Sequence, residues 1–219
     1  MIDVLVIAGA SAVGKTTAVH KIIEKNNSFE LVRSVTSREK RGDTFDSEYI
    51  YVTRDEFLSL IPSGGVLEHT EYSGNLYGTP RSEIERIARE GKIPLLILDL
   101  NGVRSISKAD GVSVCALYIY DDLSVMESRL YERYLAKNPN SEDVKRYEGR
   151  TKQNVTDYTS IGEYEPYIFS FIKSCDIEGT AKAILDTFEN FLKGENKDEP
   201  SAKKIAEELK NMAREKLNT

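Results

Sequence analysis

Gly9-Ala10-Ser11-Ala12-Val13-Gly14-Lys15-Thr16 is the stretch whose reading decides the fold. Upstream lies the apolar run Ile2-Asp3-Val4-Leu5-Val6-Ile7, which has the length of a buried strand. Downstream, Thr17-Ala18-Val19-His20-Lys21-Ile22-Ile23-Glu24-Lys25 repeats Val19, Ile22 and Ile23 at helical spacing. A strand, then G-x-x-x-x-G-K-[ST], then a helix is the setting in which such a loop cradles phosphate. The residue types explain the spacing. Gly9 and Gly14 permit backbone angles that a Cβ disfavours, so successive N–H groups can converge on phosphate oxygens at a helix N-terminus. In that arrangement Lys15 reaches the β- and γ-phosphates, and the Thr16 hydroxyl ligates Mg²⁺. The bland alternative is a glycine turn that spells the motif by accident, and the flanking strand and helix weigh against it.

The totals bound what the loop can belong to. With 219 residues the chain is long enough for one full core and a small appendage. Its 40% apolar and 30% charged residues are those of a globular protein. No apolar run reaches bilayer-spanning length, and no basic segment precedes the first strand, so neither a membrane span nor a signal peptide is expected. The net charge of −6 argues against nucleic-acid binding, so an anionic ligand must be met by locally gathered cations. Cys115, in a predicted strand, and Cys175, in a loop, have no metal or redox spacing. Both are expected to be reduced thiols of a cytoplasmic protein.

Taken in order, Phe29 to Val35 reads as a second strand and ends in the cationic segment Thr36 to Asp43. Tyr49-Ile50-Tyr51-Val52 is β-prone, and Thr53-Arg54-Asp55-Glu56 is a capping box ahead of a helix that Pro62-Ser63-Gly64-Gly65 stops. Val66 to Tyr72 alternates like a strand and turns at Ser73-Gly74-Asn75. Thr79-Pro80 has the form of an N-cap with proline at the first helical position, and its helix ends at Gly91. Ile93 to Asp99 is apolar enough for a strand buried on both faces. Its terminal Asp99 lies at the carboxyl end, where open α/β sheets bind ligands. Val112 to Tyr120 is another central strand, Leu123 to Lys137 and Val144 to Asp157 are helices, Tyr167 to Ile172 a last strand and Thr180 to Leu192 a last core helix. A charged linker, Gly194 to Pro200, leads to a helix capped by Ser201, whose narrow stripe of Ile205, Leu209, Met212 and Leu217 is expected to dock on its own domain. There are no internal repeats. Alternating strands and helices interrupted by a β-rich block predict a doubly wound α/β core with a small insertion.

Ser34-x-x-x-Arg38-x-x-Arg41 leaves a strand end with two guanidinium groups and a hydroxyl. Two readings stand: a solvated loop paired with Glu39 and Asp43, or a clamp, because the planar guanidinium fork binds two phosphate oxygens at once. Tyr49 and Tyr77 are packing residues or phenolic donors to the same phosphate. Glu68, on an otherwise apolar and small-residue strand, either faces outward or accepts from paired N–H donors such as the N1 and N2 edge of guanine. Two arginine pairs, Arg129 with Arg133 and Arg146 with Arg150, each share a helix face. Alone they read equally as salt-bridged surface helices beside Glu127, Glu132, Glu142 and Glu148.

Together these segments resemble the guanylate kinase family. Ser34-Val35-Thr36-Ser37-Arg38-Glu39-Lys40-Arg41-Gly42-Asp43 is similar to its S-x-T/S-x-R-x-x-R-x-G-E, Glu48 to Val52 to its D-Y-x-F-V, and Leu67-Glu68-His69 to its L-E-W. Gly74-Asn75-Leu76-Tyr77-Gly78-Thr79 resembles G-N-Y-Y-G-T, and Asp99 to Val103 resembles D-x-Q-G-A/V. Glu39 and Lys40 stand where the family has prolines, His69 where it has an aromatic, and Ala12 where its loop has glycine.

The resemblance implies a three-layer P-loop core with a mostly parallel sheet, over residues 1–33, 79–128 and 158–193. It implies a β-rich monophosphate-binding insertion at 34–78 and a helical lid at 129–157, leaving 194–219 without a counterpart. It implies that Gly9, Ala10, Ser11, Ala12, Val13, Gly14, Lys15, Thr16 and Thr17 bind ATP with Mg²⁺ on Thr16. Ser34, Arg38, Arg41, Tyr49 and Tyr77 would grip the acceptor phosphate, Glu68 and Thr79 would read guanine, and Asp99 would lie near the metal. Lys15, Arg129, Arg133 and Arg146, favoured over Arg150, would carry the catalysis. The implied reaction moves the γ-phosphoryl group of ATP to GMP, with dGMP as a second acceptor, by holding both in line and spreading charge.

Three other readings fit parts of the sequence. A GTPase finds D-x-x-G at Asp99 to Gly102 and a near miss of N-K-x-D at Ser107 to Asp110, too close together for that fold. A guanylate-kinase-like binding module erodes the loop and lid, whose Lys15, Thr16, Arg129 and Arg133 are present here. A monophosphate kinase for another base is separated only by assay.

Overall fold

A computed structural model describes residues 1–40, 47, 49–72 and 74–218. The chain divides into two compact units, Met1–Val6 with Ile23–Val114, and Ile7–Ile22 with Cys115–Thr219. The chain passes between them within β1 (Ile2–Gly9), within α1 (Lys15–Lys25) and within β8 (Val112–Tyr120). Among the described residues no helix is long and apolar enough to cross a membrane.

In the first unit, strands are hydrogen-bonded in the order β2-β7-β1, with β2 (Phe29–Leu31) and β7 (Ile93–Ile97) parallel in the register Leu31↔Leu95. The strand expected over Phe29 to Val35 is two strands. Val32 N–H bonds the Leu95 carbonyl at 2.9 Å, and Arg33 turns away to form a two-pronged pair with Glu83, Nε to Oε2 at 2.8 Å and Nη2 to Oε1 at 3.0 Å. The chain then enters a different sheet as β3 (Ser34–Thr36). This second sheet has the order β4-β3-β6-β5, with β4 at Tyr49–Tyr51, β5 at Val66–Tyr72 and β6 at Asn75–Pro80. β5 and β6 form a hairpin closed by the pair Tyr72↔Asn75.

Helix α2 (Arg54–Leu60) starts at the expected capping box, Thr53 and Glu56 bonding each other's backbone N–H. It buries Phe57 against Val35, Val66 and Leu76, which gives the β-rich insertion its own small core. Thr79 does not cap the next helix. Pro80 stands at the cap of α3 (Arg81–Arg89), because the Thr79 hydroxyl is engaged with Glu68. Helix α4 (Leu100–Ile106) was not expected. It is short, and Asp99 caps it by accepting from Gly102 N–H at 2.7 Å.

In the second unit the order is β1-β8-β9, with β9 (Ser170–Lys173) parallel to β8 in the register Leu117↔Ser170. β8 has the bounds its apolar run predicts, and Leu117, Tyr118 and Ile119 are fully buried. Around these lie α5 (Leu123–Tyr134), α6 (Ser141–Tyr164), α7 (Ile177–Leu192) and α8 (Glu199–Leu217). The break between α5 and α6 holds Asn138 at φ +45° and ends in a capping box at Asn140 and Asp143. α6 runs seven residues past the expected Asp157, because Tyr158 and Ile161 are core residues and not part of a polar face.

Helix α8 docks on α6, as its stripe predicts, but through a shifted face. Ala202, Ala206, Leu209 and Ala213 are buried, whereas Leu217 is exposed, and the cap is Asp198 rather than Ser201. Small residues let the helices approach closely. At Gly162 of α6 an added Cβ would sit 3.3 Å from the Lys210 side chain.

Candidate active site

The loop between β1 and α1 is built on glycine where no other residue fits. Gly9 has φ +147°, and a Cβ there would lie 2.2 Å from the Ile119 carbonyl oxygen of β8. Gly14 has φ +104°, which an L side chain rarely adopts. Ala12 is left-handed too, at φ +64°. The loop is pinned to its unit by side chains. Ser174 Oγ donates to the Val13 carbonyl at 3.0 Å, and Asn154, on α6, meets both backbone groups of Ser11.

Lys15 opens α1 and donates to the carbonyls of Gly9 at 2.6 Å and Ala10 at 2.7 Å. Burial pulls its ammonium down to about 8; the charges of Arg150 and Arg133 push the same way, and Asp157 opposes them. An open cavity of about 250 Å³ is lined by Ser11, Ala12, Gly14, Lys15, Thr16 and Thr17 from the loop and α1, by Arg133 and Tyr134 from α5, and by Arg150 from α6. Arg129 lies at 3.2 Å from the buried Asp121 carboxylate and bonds the Ala12 carbonyl at 3.4 Å. The cations therefore gather on one loop, which is what a polyanionic ligand requires in a chain of net charge −6.

Arg146, which the resemblance favours over Arg150, differs from it in placement. Arg146 pairs with Glu142 one turn earlier on α6. Arg150 reaches Ser11 Oγ at 3.4 Å and lines the cavity.

The first unit carries the other set. Ser34 stands opposite Tyr49 in the β3–β4 register, and Thr36 stands opposite Tyr77 across β3–β6. The Arg38 guanidinium lies over the rings of Tyr49 at 5.2 Å and Tyr51 at 5.7 Å, and its Nη2 donates to Tyr51 Oη at 3.1 Å. The Tyr49 and Tyr77 rings meet edge to face at 6.2 Å. One arginine and three phenols thus share this part of the sheet, and Tyr51 is a member that the sequence did not single out. Arg41 lies outside the described residues.

Glu68 is 9% exposed and Thr79 1% exposed, and they are cross-strand partners on β5 and β6. Burial raises the Glu68 carboxyl, the Thr79 hydrogen bond opposes that, and the charge of Asp99 adds to it. A carboxylate held out of water beside a neutral hydroxyl is suited to ligand N–H donors. Asp99 itself is occupied as the cap of α4.

Sequence reasoning missed Asn154, Asp121 and Tyr134. Asn154 and Tyr134 sit on helices and Asp121 in the connection after β8, none at a position its local pattern singles out, and only the fold brings them to the loop.

No cluster of three or more His, Cys, Asp or Glu able to hold a metal occurs among the described residues. The donor set at the loop, the Thr16 hydroxyl beside Lys15, fits a hard cation that takes its remaining ligands from phosphate oxygens and water.

The family model described as "Guanylate kinase" matches residues 1–191. The chain is 36% identical to the guanylate kinase of Lactobacillus delbrueckii subsp. bulgaricus over 163 residues, 74% of this chain and 77% of that protein. It is 35% identical to the guanylate kinase of Sus scrofa over 131 residues, 59% of this chain and 66% of that one. Among solved structures it is similar to guanylate kinase from Anaplasma phagocytophilum, with TM-score 0.58, 25% identity, and coverage of 86% of this chain and 85% of the other.

Proposed function

The chain belongs to the guanylate kinase family, and from that premise we infer that it transfers the γ-phosphoryl group of ATP to GMP, giving ADP and GDP. The observation that carries this is the loop of Gly9 to Thr16 with Lys15, Arg133 and Arg150 on one cavity. A module that only binds partners has no use for cations gathered there.

We assign the donor to the second unit. The Gly9–Thr17 loop holds the ATP phosphates, Lys15 contacts the β- and γ-oxygens, and the Thr16 hydroxyl would hold a Mg²⁺ ion, which would supply charge neutralisation. Arg133 and Arg150 stabilise the charge that spreads over the transferring group, and Arg129 supports the loop through Ala12 and Asp121. Arg150 takes the third lid position in preference to Arg146, whose charge is engaged by Glu142.

The acceptor belongs to the first unit. Ser34, Arg38, Arg41, Tyr49 and Tyr77 hold the GMP phosphate, with Tyr51 orienting Arg38. Glu68 and Thr79 read guanine, the carboxylate accepting N–H donors that adenine and uracil do not present in that pattern. Asp99 stays with the acceptor set. The GMP phosphate is already anionic, so the reaction needs no general base and no covalent nucleophile. Positioning and electrostatics supply the rate.

A coupled ADP-release assay with Mg-ATP against GMP, dGMP, AMP, UMP and CMP tests this directly. GMP should turn over far faster than AMP or the pyrimidine nucleotides. Equal turnover of AMP would remove the guanine assignment, and ATP binding without any transfer would remove the enzyme.

A further inference from the structure

Asn154 lies one helical turn after Arg150 on α6, and it is 2% exposed in a stretch whose other side chains are mostly charged or polar. Its amide does not serve its own helix. Oδ1 accepts from Ser11 N–H at 2.7 Å, and Nδ2 donates to the Ser11 carbonyl at 3.1 Å. A single side chain therefore satisfies both backbone groups of one loop residue, much as a neighbouring strand would. The next residue is Ala12, held at φ +64°, where a Cβ meets backbone and the left-handed conformation is disfavoured. Strain of this kind persists only where the surroundings hold it; Arg129 bonds the Ala12 carbonyl and Ser174 the Val13 carbonyl, and the Asn154 amide fixes both backbone groups of the residue before the strained one. The same helix carries Arg150, whose guanidinium reaches the Ser11 hydroxyl.

We propose that Asn154 is a positioning residue for the donor nucleotide, fixing the Ser11–Ala12 bend in the shape that receives the ATP phosphates and tying that shape to the helix bearing Arg150. The identity of the ligand rests on the family reading above; the clamp itself does not. A core asparagine with only a packing role would affect stability alone, whereas a clamp on this bend must show in the loop and in ATP.

Two measurements decide it. Amide hydrogen exchange of the wild-type protein without nucleotide should find Ser11 N–H protected by about 100-fold or more over a free peptide. Exchange at the free-peptide rate overturns the clamp, whatever the enzyme's activity. In steady-state kinetics, Asn154→Ala should raise KM for Mg-ATP about tenfold, the loss of roughly one good hydrogen bond, with KM for GMP within twofold of wild type. Asn154→Asp preserves the volume and the acceptor but sets an oxygen against the Ser11 carbonyl, so it should also raise KM for ATP. Adding Ala12→Gly to Asn154→Ala should bring that KM back towards wild type, because glycine carries no penalty at φ +64°. Equal rises in both KM values, a fall in Tm with kinetics unchanged, or no rescue by Ala12→Gly would each overturn the proposal. If wild type passes no phosphoryl group to GMP, the functional reading fails and the exchange result still stands.

Discussion

Thr79 donates its hydroxyl hydrogen to Glu68 Oε1 across 2.7 Å, between paired strands and out of water. The contact explains two things at once. It withdraws Thr79 from the helix-capping role its sequence position implies, and it leaves a buried carboxylate whose partner is neutral. A buried carboxylate is costly unless a ligand or cation meets it, and its raised pKa records that cost.

Glu68→Gln should therefore raise KM for GMP by about 10–100-fold, the worth of a charge-assisted hydrogen bond, and leave KM for ATP unchanged. Steady-state kinetics with each substrate varied in turn measures it. A parallel rise in both KM values would show that Glu68 holds the fold and not the base.

Lys15 carries a pH signature. Its ammonium titrates at about 8, burial being the main cause, so it is charged below that pH and neutral above it. The value of kcat/KM for ATP reports the free enzyme and should fall as pH climbs through about 8. At that pH, ATP binding should take up protons, because the incoming phosphates favour the charged amine. Calorimetry in buffers of differing ionisation enthalpy reads the uptake directly, and a heat independent of buffer would refute it.

The arginines of α5 and α6 separate by position. Arg133→Ala and Arg150→Ala should lower kcat by about 10³-fold, within the range of an arginine finger, with a smaller effect on ATP binding. Arg146→Ala, which only frees Glu142, should change kcat by less than about threefold, in keeping with the small worth of exposed i,i+4 pairs. Equal losses for Arg146 and Arg150 would return the third position to an open question.

Those assignments show where sequence was legible. Gly9 to Thr16, the capping box at Thr53 and Glu56, and the strands Val66–Tyr72 and Val112–Tyr120 are local patterns, each satisfied by its own neighbours, and they stand where their residues predict. What sequence did not show depends on residues far apart. The sheet change at Val32 and Arg33 follows from Leu95 and Glu83, fifty or more residues downstream. Asn154 reaches the loop from 143 positions away. Arg146 and Arg150 share a face, so only their position along α6, one turn apart, distinguishes them, and the fold sets which turn meets the loop. In α8 the hydrophobic stripe pointed to Ile205, Met212 and Leu217, but close packing on α6 selected the alanines.

That packing makes α8 structural. Lys197, just before it, pairs with the buried Glu165 at 2.5 Å and also bonds the Glu165 carbonyl at 2.6 Å. From the far end of the helix, Lys216 reaches Glu127 of α5 at 2.7 Å. A chain stopped after Glu195 loses these contacts and exposes the surface that Leu209 and the three alanines cover. It also leaves Glu165 buried without its cation, which alone costs about 3–5 kcal/mol. At about 2–4 °C per kcal/mol for a chain of this size, Tm should fall by roughly 10 °C. KM for GMP should stay near its full-length value, since the residues proposed to hold GMP lie in the other unit. Glu165→Gln in the shortened chain removes the stranded charge and should recover part of the lost Tm. If the shortened chain melts with the full-length protein, α8 is an appendage, and a Glu165→Gln variant that restores nothing would show that the loss is apolar and not ionic.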